Sequence, residues 1–435
     1  MSGERFVILG LARARRQWFV DVGRWSTSAA LPAEFLRCVS VEELRARLAT
    51  GRPHSCALVD GGLSTIDRDL LQAIREAGAV VMVVDDGRQG RDWVALGAAV
   101  VLPAALTREV LLDALATHAV MVGDAAAPLP GGARPEPLDL ALAPSAVAAV
   151  CGAGGTGVST VAAALAQGLG EESRHQGTVV LADLARHGEQ AMLHDVRDVM
   201  PGIQELVDAH RGGTPSAAEV EALTFSVVER RYHLLLGLRQ ARYWATLRPR
   251  AFEAAFDSLR RVFATVVCDV TADFEGEDAS GSADVEERNL MARTAVSWAD
   301  VVFAVGRPGV KGTHALVRVI AELAAHGVPA GRIVPVVNTA PRHPRARAEI
   351  AAALADLVGP PLGGEATAGC VFLPARRVEE AMRDAVKLPA PLAPLLAGAF
   401  LAIVERAGRR PHRTEPEPVL VAPGSLGTRR AGGDL

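Results

Sequence analysis

A single stretch without any charged residue runs from residue 140 to residue 170. Its length and apolar character would suit a membrane-spanning helix, but it is interrupted at its centre by a glycine cluster, Gly152, Gly154, Gly155 and Gly157. Glycine in this number is unfavourable inside a helix, and the apolar residues on either side suffice for one strand and one helix. We therefore predict a buried strand over 146–151, a glycine loop and a helix, and no transmembrane segment.

The glycine loop has the composition of a phosphate-binding turn. Glycine lets the backbone turn tightly, so that several N–H groups point inward at a helix N-terminus, where the helix dipole favours an anion. Ser159 and Thr160 follow the loop and offer hydroxyl groups that either cap the helix or bind a magnesium ion. We predict a phosphate site here, and a tight turn without a ligand is the alternative.

A dinucleotide is one hypothesis for the ligand of this loop. Gly152, Gly154 and Gly157 form a GxGxxG pattern, and Asp183 ends the next predicted strand, where an acid would contact a ribose. Asp183 lies 26 residues after Gly157, however, and this exceeds the usual spacing of about 20 residues. A Rossmann oxidoreductase that uses NAD(P) is therefore a less favoured interpretation.

Short apolar runs alternate with helical patterns along most of the chain. In residues 1–121 we predict strands at 5–10, near 38, and at 55–60, 79–84 and 98–102. A linker rich in proline and glycine follows at 122–144, and then a larger unit at 145–407 with predicted strands at 146–151, 178–183, 233–237, 265–269, 301–305 and 333–337. This alternation indicates an α/β fold with two doubly wound parallel-sheet domains. The tail at 408–435 is predicted to be disordered.

The composition excludes several classes of protein. A net charge of −4 and an aromatic content of 4% argue against specific nucleic-acid binding. The five cysteines are widely spaced and form no CxxC pair, so we expect a reduced, cytoplasmic protein without a disulfide framework or a zinc site. Only two residues are lysines, Lys311 and Lys387, so any mechanism that needs a lysine must use one of these two.

Residues 145–405 resemble the MinD/ParA superfamily of deviant P-loop ATPases, and within it the CpaE/TadZ branch. The loop of that superfamily is Lys-Gly-Gly-x-Gly-Lys-Ser/Thr-Thr, and residues 153–160 stand in its place, with Ala153 and Val158 at the two lysine positions. The loop is often degenerate in the CpaE/TadZ branch. The resemblance therefore implies weak binding of ATP or ADP with magnesium, very weak or absent ATPase activity, and no catalytic residue.

The resemblance also implies roles for polar residues at the ends of predicted strands. Asp183 matches the first of two acids that the family carries two residues apart, but Ala185 replaces the second, hydrolysis-linked acid. Asp269 matches the Walker B carboxylate, which together with Ser159 would hold magnesium if a nucleotide binds. Asn338 matches a position that contacts adenine. A strand-end capping acid and a turn asparagine are the alternatives for Asp269 and Asn338.

Residues 1–121 resemble a response-regulator receiver domain, another feature of CpaE-like proteins. Asp60 ends the third predicted strand, where a receiver carries its phosphoacceptor. The acidic pair after the first strand and the lysine after the fifth are missing, because Gly10-Leu11-Ala12 and Leu102-Pro103 stand there. Without them, phosphoryl transfer lacks electrostatic support. We predict a pseudoreceiver that serves docking or dimerisation, and a phosphorylated response regulator is the alternative.

Taken together, the resemblances imply a spatial regulator that forms a homodimer. It would act in septum-site determination or in the positioning of Flp/Tad pilus and secretion machines. Its implied partners are division or Tad/Flp secretion-machinery proteins, which would recruit a cytoplasmic protein to a cell pole or septum. Peripheral membrane contact by an apolar helical face at 395–404 is a further hypothesis, but we favour packing of that face in the core. An active MinD/ParA-like ATPase that hydrolyses Mg-ATP is the main alternative.

Overall fold

Two β-sheets organise the part of the chain that the computed structural model describes, which comprises residues 5–88, 90–122, 145–172, 178–384 and 386–408. Apart from residues 122 and 408, the predicted linker at 122–144 and tail at 408–435 lie outside the described residues. One sheet is formed by residues before the linker and the other by residues after it, and we call these two parts the first unit and the second unit.

The first unit is a five-stranded parallel sheet with apolar helix faces packed on both sides. Its strands are β1 (Phe6–Leu11), β2 (Ala33–Cys38), β3 (Cys56–Asp60), β4 (Val80–Asp85) and β5 (Val100–Pro103). Its helices are α1 (Gln17–Thr27), α2 (Val41–Leu48), α3 (Arg68–Glu76) and α4 (Arg108–His118). The strand order is β2-β1-β3-β4-β5, so the predicted doubly wound parallel sheet is confirmed.

The first unit differs at one place from the predicted alternation of strands and helices. Helix α1 follows β1 and buries Trp18, Phe19 and Val22 against the sheet. Between β4 and β5, the described residues form turns and no helix. Trp93 fills this place in the core, and its indole N–H donates to an Asp85 carboxylate oxygen at 2.9 Å. The large buried ring thus covers the sheet where a receiver would have its fourth helix.

The second unit is built on an eight-stranded sheet. Its strands are β6 (Ala146–Gly152), β7 (Val179–Asp183), β8 (Phe225–Val227), β9 (Tyr232–Leu235), β10 (Thr265–Asp269), β11 (Val301–Gly306), β12 (Ile333–Ala340) and β13 (Val371–Pro374). Its helices are α5 (Val158–Glu171), α6 (Gln190–Leu193), α7 (Ile203–Gly212), α8 (Ala217–Ala222), α9 (Pro249–Val262), α10 (Glu277–Ser280), α11 (Ala283–Arg288), α12 (Leu290–Trp298), α13 (Val310–Ala325), α14 (Pro344–Val358), α15 (Glu379–Arg383) and α16 (Leu392–Gly408). The strand order is β13-β12-β11-β6-β10-β7-β9-β8.

The second sheet departs from the prediction at one edge, because it is mixed and not wholly parallel. Strand β8 pairs antiparallel with β9, whereas the other pairs in this sheet are parallel. A 3₁₀ turn at Val228–Arg230 connects β8 to β9. A connection this short joins antiparallel neighbours and cannot form a parallel crossover.

The uncharged stretch at 140–170 forms β6, the glycine loop and α5, as predicted. Helix α5 is apolar on every side because the sheet covers one of its faces and α16 covers another. Gly168 lets the two helices approach closely, since a Cβ atom there would lie 2.4 Å from the Ala393 carbonyl oxygen. Within the predicted apolar face at 395–404, Leu396 and Phe400 are buried in the core, whereas Leu395 is 41% exposed. No helix within the described ranges is long and apolar enough to cross a membrane.

Candidate functional site

The carboxyl ends of β6, β10 and β7 meet at one edge of the second sheet, where the glycine loop follows β6. Asp269 ends β10 and Asp183 ends β7, and the two residues are register partners in neighbouring parallel strands. Ser159 and Thr160 lie in the first turn of α5, which begins directly after the loop. The structure therefore brings the predicted loop, hydroxyl groups and acids to the edge at which parallel α/β sheets hold their ligands.

The glycine loop has a conformation that only glycine allows at several positions. Gly155 and Gly157 have φ angles of 77° and 91°, which L side chains rarely adopt. A Cβ atom at Gly157 would lie 2.4 Å from the Asn338 side-chain nitrogen, and one at Gly152 would lie 2.4 Å from the Val305 carbonyl oxygen. Gly154 is exposed and faces open space. The loop thus has a left-handed backbone at two glycines and open space beside Gly154, and both features favour the binding of a phosphate oxygen.

Asn338 holds this loop in place. Its side-chain N–H donates to the Thr156 carbonyl oxygen at 2.9 Å, and its side-chain oxygen accepts from the Thr339 amide at 2.9 Å. The Thr156 hydroxyl in turn donates to the Ala153 carbonyl oxygen at 2.6 Å. The structure therefore gives Asn338 a role in shaping the loop, while its contact with adenine stays a prediction.

Gln190 lies between the two acids and was not singled out from the sequence. Its side-chain N–H donates to an Asp269 carboxylate oxygen at 2.7 Å and to the Ser159 carbonyl oxygen at 3.1 Å. Its backbone N–H donates to an Asp183 carboxylate oxygen at 3.0 Å. Gln190 is fully buried. Its side-chain amide thus connects the first turn of α5 with Asp269, while its backbone amide contacts Asp183.

The two acids favour their protonated forms more than exposed carboxyl groups do. Burial, and after it the charge of Asp269, raises the pKa of Asp183 to about 8. Burial raises the pKa of Asp269 to about 6, against hydrogen bonds from Gln190 and Ser159 that lower it. The cause is that a buried carboxylate loses its hydration, and no cationic partner restores the lost stabilisation. At neutral pH the pair therefore carries less negative charge than two exposed aspartates.

A second cluster of buried side chains, His194, Tyr232 and Arg230, contacts the segment that carries Gln190. The His194 Nδ1–H donates to the Gln190 carbonyl oxygen at 2.8 Å, and the His194 Nε2 atom shares a hydrogen bond of 2.6 Å with the Tyr232 hydroxyl. Arg230, also fully buried, donates to the Tyr232 hydroxyl at 3.2 Å and to the Val386 carbonyl oxygen at 2.8 Å. Burial and the Arg230 charge lower the pKa of His194 to about 4, so His194 is neutral. The segment that carries Gln190 is therefore held by an uncharged histidine.

The residues at this edge fit a phosphate better than they fit a magnesium ion. The left-handed glycine loop and the first amides of α5 form an anion-binding concavity. Of the predicted metal ligands, Asp269 accepts a hydrogen bond from the Gln190 side chain, whose N–H group is a donor and cannot bind a cation, whereas the contact of Gln190 with Ser159 is to the backbone carbonyl oxygen and does not involve the hydroxyl group. No group of three or more histidine, cysteine or acidic side chains among the described residues could hold a metal ion.

Within the described residues, no hydrogen bond or ion pair links either lysine to the glycine loop. Lys387 forms an ion pair with Glu171 at 3.3 Å, at the end of α5 that is opposite to the loop. Lys311 is exposed in the first turn of α13. At the loop itself, Ala153 and Val158 offer no charge to a phosphate.

The geometry of Asp183 weakens the dinucleotide hypothesis. Its carboxylate is buried, with 1% of the residue exposed, and it accepts hydrogen bonds from the Gln190 and Ala185 amides. A Cβ atom at Gly188 would lie 2.6 Å from the same carboxylate. A residue that reads a ribose needs a carboxylate oxygen that faces the ligand. Asp183 instead organises the turn that follows its own strand.

The receiver-like site in the first unit is occupied by an arginine of the same chain. Arg16 pairs with Asp60 through two nitrogen atoms, at 3.0 Å and 3.2 Å, and approaches Asp86 at 3.7 Å. Asp60 is buried and also accepts from the Gly62 amide at 3.1 Å. A bidentate guanidinium contact uses both carboxylate oxygens. The carboxylate that would accept a phosphoryl group is therefore already neutralised and covered.

Comparisons with known proteins give matches among solved structures alone. No family model matches this sequence, and no curated protein matches it. The chain is similar to a ParA family ATPase from Chlorobium tepidum, with 15% identity, coverage of 61% of this chain and 94% of the other, and a TM-score of 0.41. It is also similar to the cell division ATPase MinD of Pyrococcus furiosus, with 17% identity, 60% and 99% coverage, and a TM-score of 0.42. A plasmid partition protein from Borrelia burgdorferi bound to AMPPNP shows 12% identity, 61% and 99% coverage, and a TM-score of 0.38.

Proposed function

We propose that the chain is a spatial regulator of the CpaE/TadZ type within the MinD/ParA superfamily, with a degenerate ATP site. The observation that carries this proposal is the hydrogen bond from the Gln190 side chain to Asp269. A neutral amide thus engages the acid that the resemblance assigns to magnesium, beside a loop that has the left-handed glycine conformation and has no lysine. The site has thus retained its shape and lost its cations.

These changes weaken nucleotide binding in two ways. Val158 is apolar and cannot offset the charge of the β- and γ-phosphates. Loss of one charged contact costs about 1.5–3 kcal/mol, or roughly ten- to a hundredfold in affinity. In addition, a magnesium ion at Asp269 would compete with the fully buried Gln190 side chain, which donates to one oxygen of that carboxylate. ATP or ADP therefore binds weakly, and hydrolysis lies near background.

A protein with such a site reaches its position through other proteins and not through a cycle of ATP hydrolysis. We infer a homodimer in the cytoplasm that division proteins or Tad/Flp secretion-machinery proteins recruit to a septum or a pole. The first unit acts as a pseudoreceiver, since Arg16 occupies Asp60. The buried face of α16 supports recruitment by proteins over membrane insertion, because residues in the core are not available to lipid.

Localisation of a fluorescent fusion in cells tests this role. We expect a focus at a pole or septum for the full chain and for Ser159→Ala, which removes the predicted metal-binding hydroxyl. Thr160→Ala is the matched control, because it removes a neighbouring hydroxyl in the same turn of α5. Diffuse fluorescence of Ser159→Ala with a normal focus for Thr160→Ala, at equal protein levels, would contradict the proposal. A wild-type protein without a focus would also contradict it.

An active Mg-ATPase is the second candidate. The observation that favours it is that the Ser159 hydroxyl group lies in the first turn of α5 and takes no part in the contact with Gln190, while there is open space at Gly154. Phosphate release in the presence and absence of magnesium distinguishes the two candidates. Robust magnesium-dependent turnover that is lost in Ser159→Ala supports this second candidate, and background turnover supports the degenerate site.

A further inference from the structure

The N-terminus of helix α9 has no capping side chain from the residues that precede it in the sequence. Arg248 at the N-cap position makes no side-chain cap bond, and Pro249 at the first helical position has no N–H group. The amides of Arg250 and Ala251 are therefore the first donors of the helix, and neither has a partner within the helix. Asp69 of the first unit accepts from both, at 2.9 Å and 3.2 Å. This buried carboxylate completes the positive end of a helix in the other unit.

The neighbouring residue, Arg68, acts on the opposite end of a second helix. Its Nε–H donates to the His210 carbonyl oxygen at 3.1 Å, and one of its terminal nitrogens donates to the Gly213 carbonyl oxygen at 3.1 Å. These carbonyl groups belong to the C-terminal end of α7, where the helix dipole is negative. Two adjacent side chains of α3 thus present a cation to the negative end of α7 and an anion to the positive end of α9.

Flanking ion pairs set the orientation of this contact. Asp67 caps its own helix by accepting from the Leu70 amide at 3.0 Å, and it pairs with Arg211 of α7 at 3.3 Å. Glu76, at the far end of α3, pairs with Arg250 of α9. The Arg250–Glu76 pair is largely exposed and contributes little to stability, whereas Asp67 is buried. Both pairs define the register of the contact, and the two helix-end contacts are its centre.

We propose that Arg68 and Asp69 form a clamp that docks the first unit on the α7–α9 face of the second unit in the same chain. The clamp does not depend on nucleotide, so it goes beyond the proposed function. It makes the two units behave as one body. Helix α9 leads into β10, which ends at Asp269, so the first unit bears directly on an element that positions the candidate site. The face of α3 is occupied, and any partner of the first unit binds to another face.

Hydrogen–deuterium exchange on the intact full chain tests the clamp. The measured quantity is the exchange rate of the amides of Arg250 and Ala251, which the helix itself does not protect. We expect protection in the wild type and at least tenfold faster exchange in Asp69→Ala. Asp113→Ala is the matched control, since Asp113 is an exposed acid on α4 of the same unit. It is expected to leave these rates unchanged.

Several outcomes of the same exchange experiment would contradict the clamp. Amides at 250 and 251 that exchange in the wild type as fast as those of an unstructured peptide would overturn the clamp. An unchanged rate in Asp69→Ala, with the fold intact by circular dichroism, would overturn it as well. If Asp69→Ala does not fold, Asp69→Asn keeps one acceptor oxygen, and we then expect faster exchange at one of the two amides. Equal protection of both amides in Asp69→Asn and in the wild type would count against the clamp.

Discussion

The conformation of the glycine loop leads to a quantitative prediction for Gly157→Ala. The φ angle of 91° is unfavourable for alanine and costs about 1–2 kcal/mol. The new Cβ atom would also lie 2.4 Å from the Asn338 side-chain nitrogen and would break its hydrogen bond to Thr156, at about 0.5–1.5 kcal/mol. We therefore expect a loss of roughly 1.5–3.5 kcal/mol in the free energy of unfolding, or a fall of about 3–14 °C in Tm.

Gly154→Ala is the matched control for this prediction. A Cβ atom at Gly154 meets no atom within 4 Å, and the residue is not among the glycines with positive φ. Its substitution reduces the entropy of the unfolded chain, so the stability should stay the same or rise by up to about 1 kcal/mol. Urea denaturation followed by circular dichroism measures both variants. Equal stability of Gly157→Ala and the wild type, or equal losses in both variants, would refute the account of the loop.

Three further predictions concern pH, phosphorylation and membranes. The raised pKa values of Asp183 (about 8) and Asp269 (about 6) mean that the folded state holds protons that the unfolded state has lost above about pH 4. The free energy of unfolding should therefore fall as the pH rises from about 6.5 to 8, by up to about 1.4 kcal/mol per pH unit through Asp183, and a flat urea-denaturation profile over this range would contradict this. Below about pH 6.5 the lowered pKa of His194 acts in the opposite direction. Asp60 should take up no phosphate from acetyl phosphate because Arg16 covers it, and stoichiometric modification in mass spectrometry would prove this wrong. The chain should not sediment with anionic liposomes in an ATP-dependent manner, since α16 is packed against α5, and strong pelleting that truncation at Pro394 abolishes would count against protein-based recruitment.

The sequence predicted those parts of the molecule that depend on local pattern. The uncharged stretch gave β6, the loop and α5 because glycine content and apolar periodicity act over a few residues. The ends of β7 and β10 followed from the same logic, so Asp183 and Asp269 were placed at one edge of the sheet. The edge strand β8 was missed, because three residues carry too little periodicity to identify a strand.

Local sequence pattern could not predict the long-range contacts made by the side chains at the candidate site and at the contact between the units. Gln190 contacts an acid 79 residues away, Arg16 contacts one 44 residues away, and Asp69 caps a helix more than 180 residues away. Each of these contacts depends on the tertiary arrangement, and a lone glutamine or arginine in a polar segment has no distinctive spacing. The absence of the loop lysines at Ala153 and Val158 was visible in the sequence. The hydrogen bond from the neutral Gln190 side chain to Asp269 became visible only in the structure.

Titration of ATP into the purified full chain, with and without magnesium, tests the degenerate site most directly when it is run beside Val158→Lys. A lysine at this position restores one charged contact, whereas Val158→Met adds a side chain without charge and serves as the control. We predict weak binding to the wild type and to Val158→Met, and binding that is roughly ten- to a hundredfold tighter to Val158→Lys. Submicromolar, magnesium-dependent binding to the wild type, with no gain from the lysine, would contradict the central claim.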